Sequence, residues 1–453
     1  MPNLLQACAI NEVFPEGMKT TAFALEYDAG ITPAWLNAVR FEIIDHSYEP
    51  KIPPQERTIR KIYINDRPAI AAGASDEGRY IILETDLKET AAFAIGNYKT
   101  DGTFNPYGHA PVGFPDPNDK GPGPGGPGPG KGPGPDMTYC GPKPLNVTIR
   151  QLPKDAGNAA VPEAEVVCTS FTCRQVEAFT EHEWKGLPYQ LYTPQPYDPN
   201  VRYPLLLFIP DAGGRGEDPR TPLIQGIGGV CWASKEDQEK HPCFIVCPCY
   251  GAKDLLVKDD FSYSEKIYLA KEILDHVASE YSIDRDRIYT TGQSMGCMTS
   301  CQLMVDWPDY FAGAVLVAGQ WDPVKCGPAM KDQNLWILVS ENDRKAHGGM
   351  DAITAAIEAN GGKVVRDVWN AKAPLEELNE RARGMLASDA NVRYTMFEGS
   401  SVVADGIDPG PGSNHTSTWC VAYTIDVVRD WLFTNRRSGA QEDQSEYVTP
   451  AAG

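Results

Sequence analysis

Residues Ile288–Ser300 read IYTTGQSMGCMTS. β-branched and aromatic residues open the stretch, two glycines bracket Ser294, and small, helix-compatible residues follow. This order predicts a strand, a very tight turn at the serine, and a helix beginning at once after it. Glycines are needed beside such a turn because the backbone crowds there. A glycine-bounded serine that merely caps a helix would look the same locally. The surrounding chain has to separate the two.

Outward from this stretch the pattern is regular. The apolar runs YPLLLFIPDAGG (203–214), FIVCPCYG (244–251), GAVLVAG (313–319), LWILVS (335–340) and VRYTMF (392–397) read as strands. Between them YSEKIYLAKEILDHVASEYS (263–282), the segment from Ser294, and MDAITAAIEAN (350–360) have helical spacing, and WCVAYTIDVVRDWLF (419–433) follows the last strand. Continuous apolar strands alternating with helices predict a mostly parallel, doubly wound sheet covered on both faces. G-x-S-x-G at a strand-to-helix turn in that setting is the nucleophile elbow of an α/β-hydrolase.

Chain order supplies the partners. In that fold the serine precedes an acid and then a histidine. Only His347 and His415 follow Ser294. His347 comes too soon after the candidate acid. His415 sits in PGSNHTSTW, expected to be a loop between a strand and the last helix, and is the candidate base. Asp343, in SEND after the strand LWILVS, is the candidate acid. Glu341 is its neighbour, and Asp322, after the preceding strand, is the alternative. Each of these acids can equally be a solvated loop carboxylate. A serine hydroxyl is a weak nucleophile, so an imidazole must take its proton and a carboxylate must orient the imidazole. Backbone amides must bind the resulting oxyanion. The amide of Met295 is one candidate donor, and Asp211 or Ala212, in the glycine turn after LLLFI, supplies the other.

The first 110 or so residues read as β: TTAFALEYD, AVRFEII, TIRKIYIND and RYIILETD are short, β-branched or aromatic, and separated by turn residues. GPGPGGPGPGKGPGPD (121–136) cannot bury apolar surface and lacks a collagen repeat. LNVTIRQL (145–152) reads as one further strand. The expected organisation is an all-β sandwich over 1–152 with the Gly/Pro run as an insertion, a linker over 153–165, a catalytic domain over 166–437 and a disordered tail over 438–453. The sandwich is expected to be separable and to supply no catalytic group.

Composition narrows the function. The chain has 453 residues, a formal net charge of −20 and 42% apolar residues. Such acidity argues against nucleic acid, whose binding needs clustered Lys and Arg. No run of 18 apolar residues exists to cross a membrane. MPNLLQACAI has neither a basic n-region nor a long apolar h-region. The expected location is the cytoplasm, or the periplasm or exterior if a signal peptide has been removed. Twelve cysteines include the pair Cys297 and Cys301, one helical turn apart, but no second pair at zinc spacing. Buried thiols, no metal and no cofactor are expected. The oligomeric state is left open.

The stretches GLPYQLYTPQPYDPNVRYPLLLF, IDRDRIYTTGQSMG, SEND and NHTSTWCVAYTIDVVRDWLF together resemble bacterial α/β-hydrolases grouped as predicted peptidases and esterases, kin to polyhydroxybutyrate depolymerases and feruloyl esterases. Members often carry an immunoglobulin-like domain ahead of the hydrolase, and FEII, IRKIYIND and GRYIILETD fall where its strands would. The resemblance implies a serine carboxylesterase acting on small or aromatic acyl esters, feruloyl-type or polymeric, through Ser294, Asp343 and His415. A peptidase of the same fold and an impaired binding or adhesion protein are the alternatives. Two positions depart from the relatives. Pro210-Asp211 stands where they have His-Gly, so a carboxylate lies near the developing oxyanion and must turn away, onto a turn amide or a cation such as Arg215. Cys297 stands where a further glycine is usual. The charged insert NAKAPLEELNERARGMLAS (370–388) reads as a cap over the site or as a solvated surface helix.

Overall fold

The computed structural model describes residues 2–70, 77–106, 138–155 and 161–437. The Gly/Pro run and the tail lie outside them. Two larger sheets form the sandwich of the N-terminal part, with a small three-stranded sheet beside them. One has five strands in the order Phe171–Thr172, Leu4–Phe14, Gly17–Ile31, Gly78–Thr85, Ile59–Asn65. The other has four, Ala164–Cys168, Val147–Pro153, Val39–Asp45 and Gln55–Glu56. Alternation explains the packing: in Val39–Asp45 every second residue, Val39, Phe41, Ile43 and Asp45, is buried. Ile43 and Ile149 are cross-strand partners, and both belong to one buried cluster with Phe23, Leu25, Ile81 and Leu83 of the other sheet. LNVTIRQL thus returns to the sandwich.

Two boundaries differ from the sequence reading. The end of the expected linker, with the first residues assigned to the catalytic domain, forms the strand Ala164–Cys168, paired antiparallel with Val147–Pro153. The sandwich therefore runs on to Thr172, which still pairs with Ile10. The sandwich also packs against the following domain. Val13, Met18, Phe93 and Ile95 share one apolar cluster with Leu223, Ile224 and Trp232 of the following domain. Sequence patterning shows which face of a strand is apolar but not which neighbour covers it.

The second part is a nine-stranded sheet in the order Thr180–Trp184, Leu187–Tyr192, Phe244–Pro248, Tyr203–Ile209, Ile283–Gln293, Gly313–Val317, Leu335–Ser340, Val392–Phe397, Val364–Trp369. The first two strands pair antiparallel, as does the second with Phe244–Pro248; the rest are parallel. Tyr203–Ile209 is buried at all seven positions, as a strand covered on both faces must be. This is the α/β-hydrolase architecture. The charged insert is the crossover that joins the last two parallel strands. Its helix Leu375–Leu386 buries Leu378, Ala382 and Met385 and docks on the C-terminal helix through Asn379. It is neither a cap nor a solvated helix, because a parallel pair requires a covered crossover. Loops after the parallel strands bring Asp211, Ser294, Asp322 and Asp343 to the carboxyl-terminal edge of the sheet, where α/β folds place their sites.

Candidate active site

Ser294 sits between the strand Ile283–Gln293 and the helix Met295–Asp306 with φ 50° and ψ −115°. A non-glycine residue there is strained by about 1–3 kcal/mol. Its neighbours hold it: the Ser294 amide donates to Val317 O at 3.0 Å, and its carbonyl accepts from the Met298 amide at 3.0 Å. Both flanking glycines have steric reasons. A Cβ on Gly296 would meet Ile209 O at 1.9 Å and Pro210 O at 2.7 Å; one on Gly292 would meet the Gly296 carbonyl carbon at 2.5 Å. The helix start is pressed onto the adjacent strand, and the elbow closes on itself. Cys297 is fully buried, its Sγ 2.5 Å from where a Cβ on Gly319 would stand.

The structure joins three of the expected residues. The Ser294 hydroxyl lies 2.8 Å from His415 Nε2, and His415 Nδ1 lies 2.5 Å from Asp343 Oδ2. The carboxylate can only accept, so Nδ1 carries the proton and Nε2 is free to accept from the serine. Asp343 is buried at the N-cap of the helix Arg344–Ala359, where its other oxygen accepts from the Ala346 amide at 3.3 Å. His415, expected in a loop, lies at the start of the second turn of the helix Pro411–Ala422, edge-on to Trp419 at 5.2 Å. The proline at the first helical position lets that helix start earlier than the Gly/Ser composition suggests.

The other candidates lie elsewhere. Asp322 caps the helix Pro323–Met330 by accepting from the Val324 amide at 3.0 Å. Glu341 accepts from the Gly399 amide, and His347 faces Asp351 at 3.2 Å. Met295 opens its helix, so its amide has no acceptor within the helix. In the turn Ala212–Gly214 the Gly213 amide is taken by Asp211 Oδ2 at 2.8 Å and the Gly214 amide by Asp211 O at 3.0 Å. Among the described residues the amides of Asp211 and Ala212 have no acceptor. Arg215 fixes the Ala212 peptide by donating to its carbonyl at 2.6 Å.

Sequence reasoning missed two residues. Gln293, fully buried just before the serine, donates to Asp211 Oδ1 at 3.1 Å and so ties the elbow to the turn. Asn414, just before the histidine, accepts from the Ser340 hydroxyl at 3.1 Å and donates to Pro409 O and Gly410 O. It ties the histidine helix to the end of the strand that carries the acid. Both stand next to a site residue, which was the available signal. Their partners lie 82 and 74 residues away along the chain.

Among the described residues no group of three His, Cys, Asp or Glu is placed to hold a metal, and no helix is long and apolar enough to cross a membrane. Cys297, Cys301 and Cys326 are free and buried, as are Cys247 and Cys249.

The sheet order and the strand-turn-helix at Ser294 define the α/β-hydrolase fold. Residues 6–121 match the model of the esterase Ig-like N-terminal domain, and residues 270–342 match that of the prolyl oligopeptidase family. The chain thus carries an esterase-type immunoglobulin-like domain ahead of a domain with the α/β-hydrolase fold. The structure of a thermostable esterase aligns with a TM-score of 0.70 and 22% identity, covering 95% of this chain and 100% of that one. Poly(3-hydroxyalkanoate) depolymerase C from Paucimonas lemoignei is 38% identical over 60 residues. That match spans only 13% of this chain and 14% of the depolymerase.

Proposed function

We propose that this chain is a serine carboxylesterase that cleaves small or aromatic acyl esters, or ester polymers, through an acyl-enzyme. One observation carries the reading: the unbroken hydrogen-bonded series from Ser294 Oγ through His415 to Asp343. As Ser294 Oγ attacks the ester carbonyl carbon, its proton passes to His415 Nε2. The carbonyl electron pair moves onto oxygen, which the amides of Met295 and of Ala212 or Asp211 receive. Each such donor is worth roughly 10²–10³ in rate. The imidazolium, steadied by Asp343, returns the proton to the departing alcohol as the C–O bond breaks. Water then repeats the sequence on the acyl-enzyme, releasing the acid and restoring Ser294.

Supporting the ester reading are the esterase-type N-terminal domain, the short match to the depolymerase and the thermostable esterase of the same fold. The match to the prolyl oligopeptidase family favours a peptidase as the second reading. An impaired binding protein is disfavoured by the assembled serine, imidazole and carboxylate. The test is an assay on p-nitrophenyl acetate, methyl ferulate and a peptide panel, with and without a fluorophosphonate. Ester turnover with the label on Ser294 is expected. Turnover of peptides alone would establish the second reading, and labelling elsewhere would overturn both.

A further inference from the structure

A second feature lies at the opposite, amino-terminal edge of the large sheet. Arg393 is the second residue of the strand Val392–Phe397, beside Trp336, the second residue of Leu335–Ser340. It lines a groove of about 620 Å³ between that sheet edge and the C-terminal helix Asp426–Leu432. Arg393 is only 8% exposed, and burial presses its pKa down. Its guanidinium lies against the rings of Trp431 and Trp336, at 5.3 and 5.8 Å. The buried Nε has no acceptor, and Nη2 reaches only Ser388 O at 3.5 Å.

Three other largely buried arginines are each paired with a carboxylate. Arg57 faces Glu89 at 2.7 Å, Arg287 faces Asp284 at 2.7 Å, and Arg429 faces Asp237 at 2.8 Å. Among the described residues Arg393 has no such carboxylate. A charge taken out of water without a counter-charge is costly, so this arrangement calls for an anion from outside the chain. The groove limits which anion. Leu386, Val427 and Trp431 give it an apolar wall. Asp389 and Asp430 also line it. These are already matched, Asp389 by Lys363 and Asp430 by Lys240 and His241, yet they would oppose a second negative charge. The planar fork of the guanidinium fits a carboxylate.

We propose that this groove is a binding site for a small monocarboxylate with an apolar body, its carboxylate on the open edge of Arg393 and its body against Trp431. The site stands apart from Ser294 and does not depend on what that residue does. The test is calorimetric titration of the full chain at low salt with benzoate, its neutral counterpart benzamide, and inorganic phosphate. Saturable benzoate binding is expected, at least about tenfold tighter than benzamide or phosphate. It should persist after the active serine has been blocked, and weaken at least about tenfold in Arg393→Gln. Should Arg393→Gln fail to fold, Leu386→Glu, an exposed change that sets a carboxylate at the groove, should weaken benzoate while leaving the melting temperature unchanged. The proposal is overturned by the absence of benzoate binding up to about 10 mM. Equal affinity for benzamide, binding lost on blocking Ser294, or binding unchanged in the variants would each overturn it as well.

Discussion

Ser294 stands at a strained backbone angle with its hydroxyl on His415 Nε2. Ser294→Ala should lower ester turnover by about 10⁴-fold or more and abolish fluorophosphonate labelling, with the melting temperature unchanged. His415→Ala should be as damaging, and the double variant no worse than either, because residues that act as a unit do not lose rate additively. Asp343→Asn should keep more activity than these two. A larger loss in Asp322→Asn, measured in the same assay, would move the acid to the earlier strand. Asp211 belongs to the same scale. Its carboxylate is held by the Gly213 amide and by Gln293, a partner the sequence did not suggest. In Asp211→Asn the amide can still accept from Gly213 and can donate to a flipped Gln293. The rate on p-nitrophenyl acetate should then stay within about threefold of the native rate. A clear rise in rate would mean that the negative charge acts on the oxyanion.

At the scale of the element, three short strands, Phe104–Asn105, Ile95–Tyr98 and Tyr139–Pro142, form a small sheet against the turn that follows Ile209. Cys140 Sγ lies 3.8 Å from where a Cβ on Gly213 would stand, and Tyr139 lies 3.2 Å from where one on Gly216 would stand. Burial first, and the nearby Asp211 charge second, push the Cys140 thiol up to about 12, so it is an inert packing group. Lys143, directly after the last of these strands, is buried and donates to Asp45 of the sandwich at 2.8 Å and to Ala91 O at 3.0 Å. Burial raises the Asp45 pKa, but the Lys143 charge and the bonds from Lys143 and Ser47 outweigh it and hold the carboxyl below its ordinary value. A depressed carboxyl stabilises the fold above its unfolded value of about 3.9, and that stability is lost as pH falls through the folded value. Lys143→Met should cost about 3–5 kcal/mol at pH 7, because it strands a buried carboxylate. In the variant the lowering effect of Lys143 is gone while burial, the largest influence, and the lesser Ser47 bonds remain, so the Asp45 pKa rises and acid relieves the penalty. Thermal melts at pH 7 and pH 4 should show the gap from the native chain narrowing in acid; an equal gap at both would refute the pairing.

On the scale of the whole molecule, sandwich and hydrolase share an apolar cluster, and the small sheet touches the turn that carries the candidate oxyanion amides. A chain starting at Cys173 should therefore aggregate, or turn over p-nitrophenyl acetate at least about tenfold more slowly than the full chain, even though the sandwich supplies no member of the serine–histidine–aspartate series. A soluble truncated chain with full activity would show that the contact carries no functional weight.

Local chemistry made much of this legible in the sequence. The two glycines around Ser294 are dictated by backbone crowding within a few residues. The alternation of apolar strands and helices fixes the class of sheet, and chain order then points to Asp343 and His415. These properties are short-range or topological, so the order of residues carries them. What only the tertiary structure decided involves partners distant in sequence. Asp343 rather than Asp322 meets His415, and Gln293 and Asn414 brace the site across more than 70 residues. The charged insert is a covered crossover, and the sandwich packs onto the hydrolase. The physical reason is common to all four: composition reports that a carboxylate, an amide or an apolar face needs a partner, and the folded path of the chain chooses which one it meets.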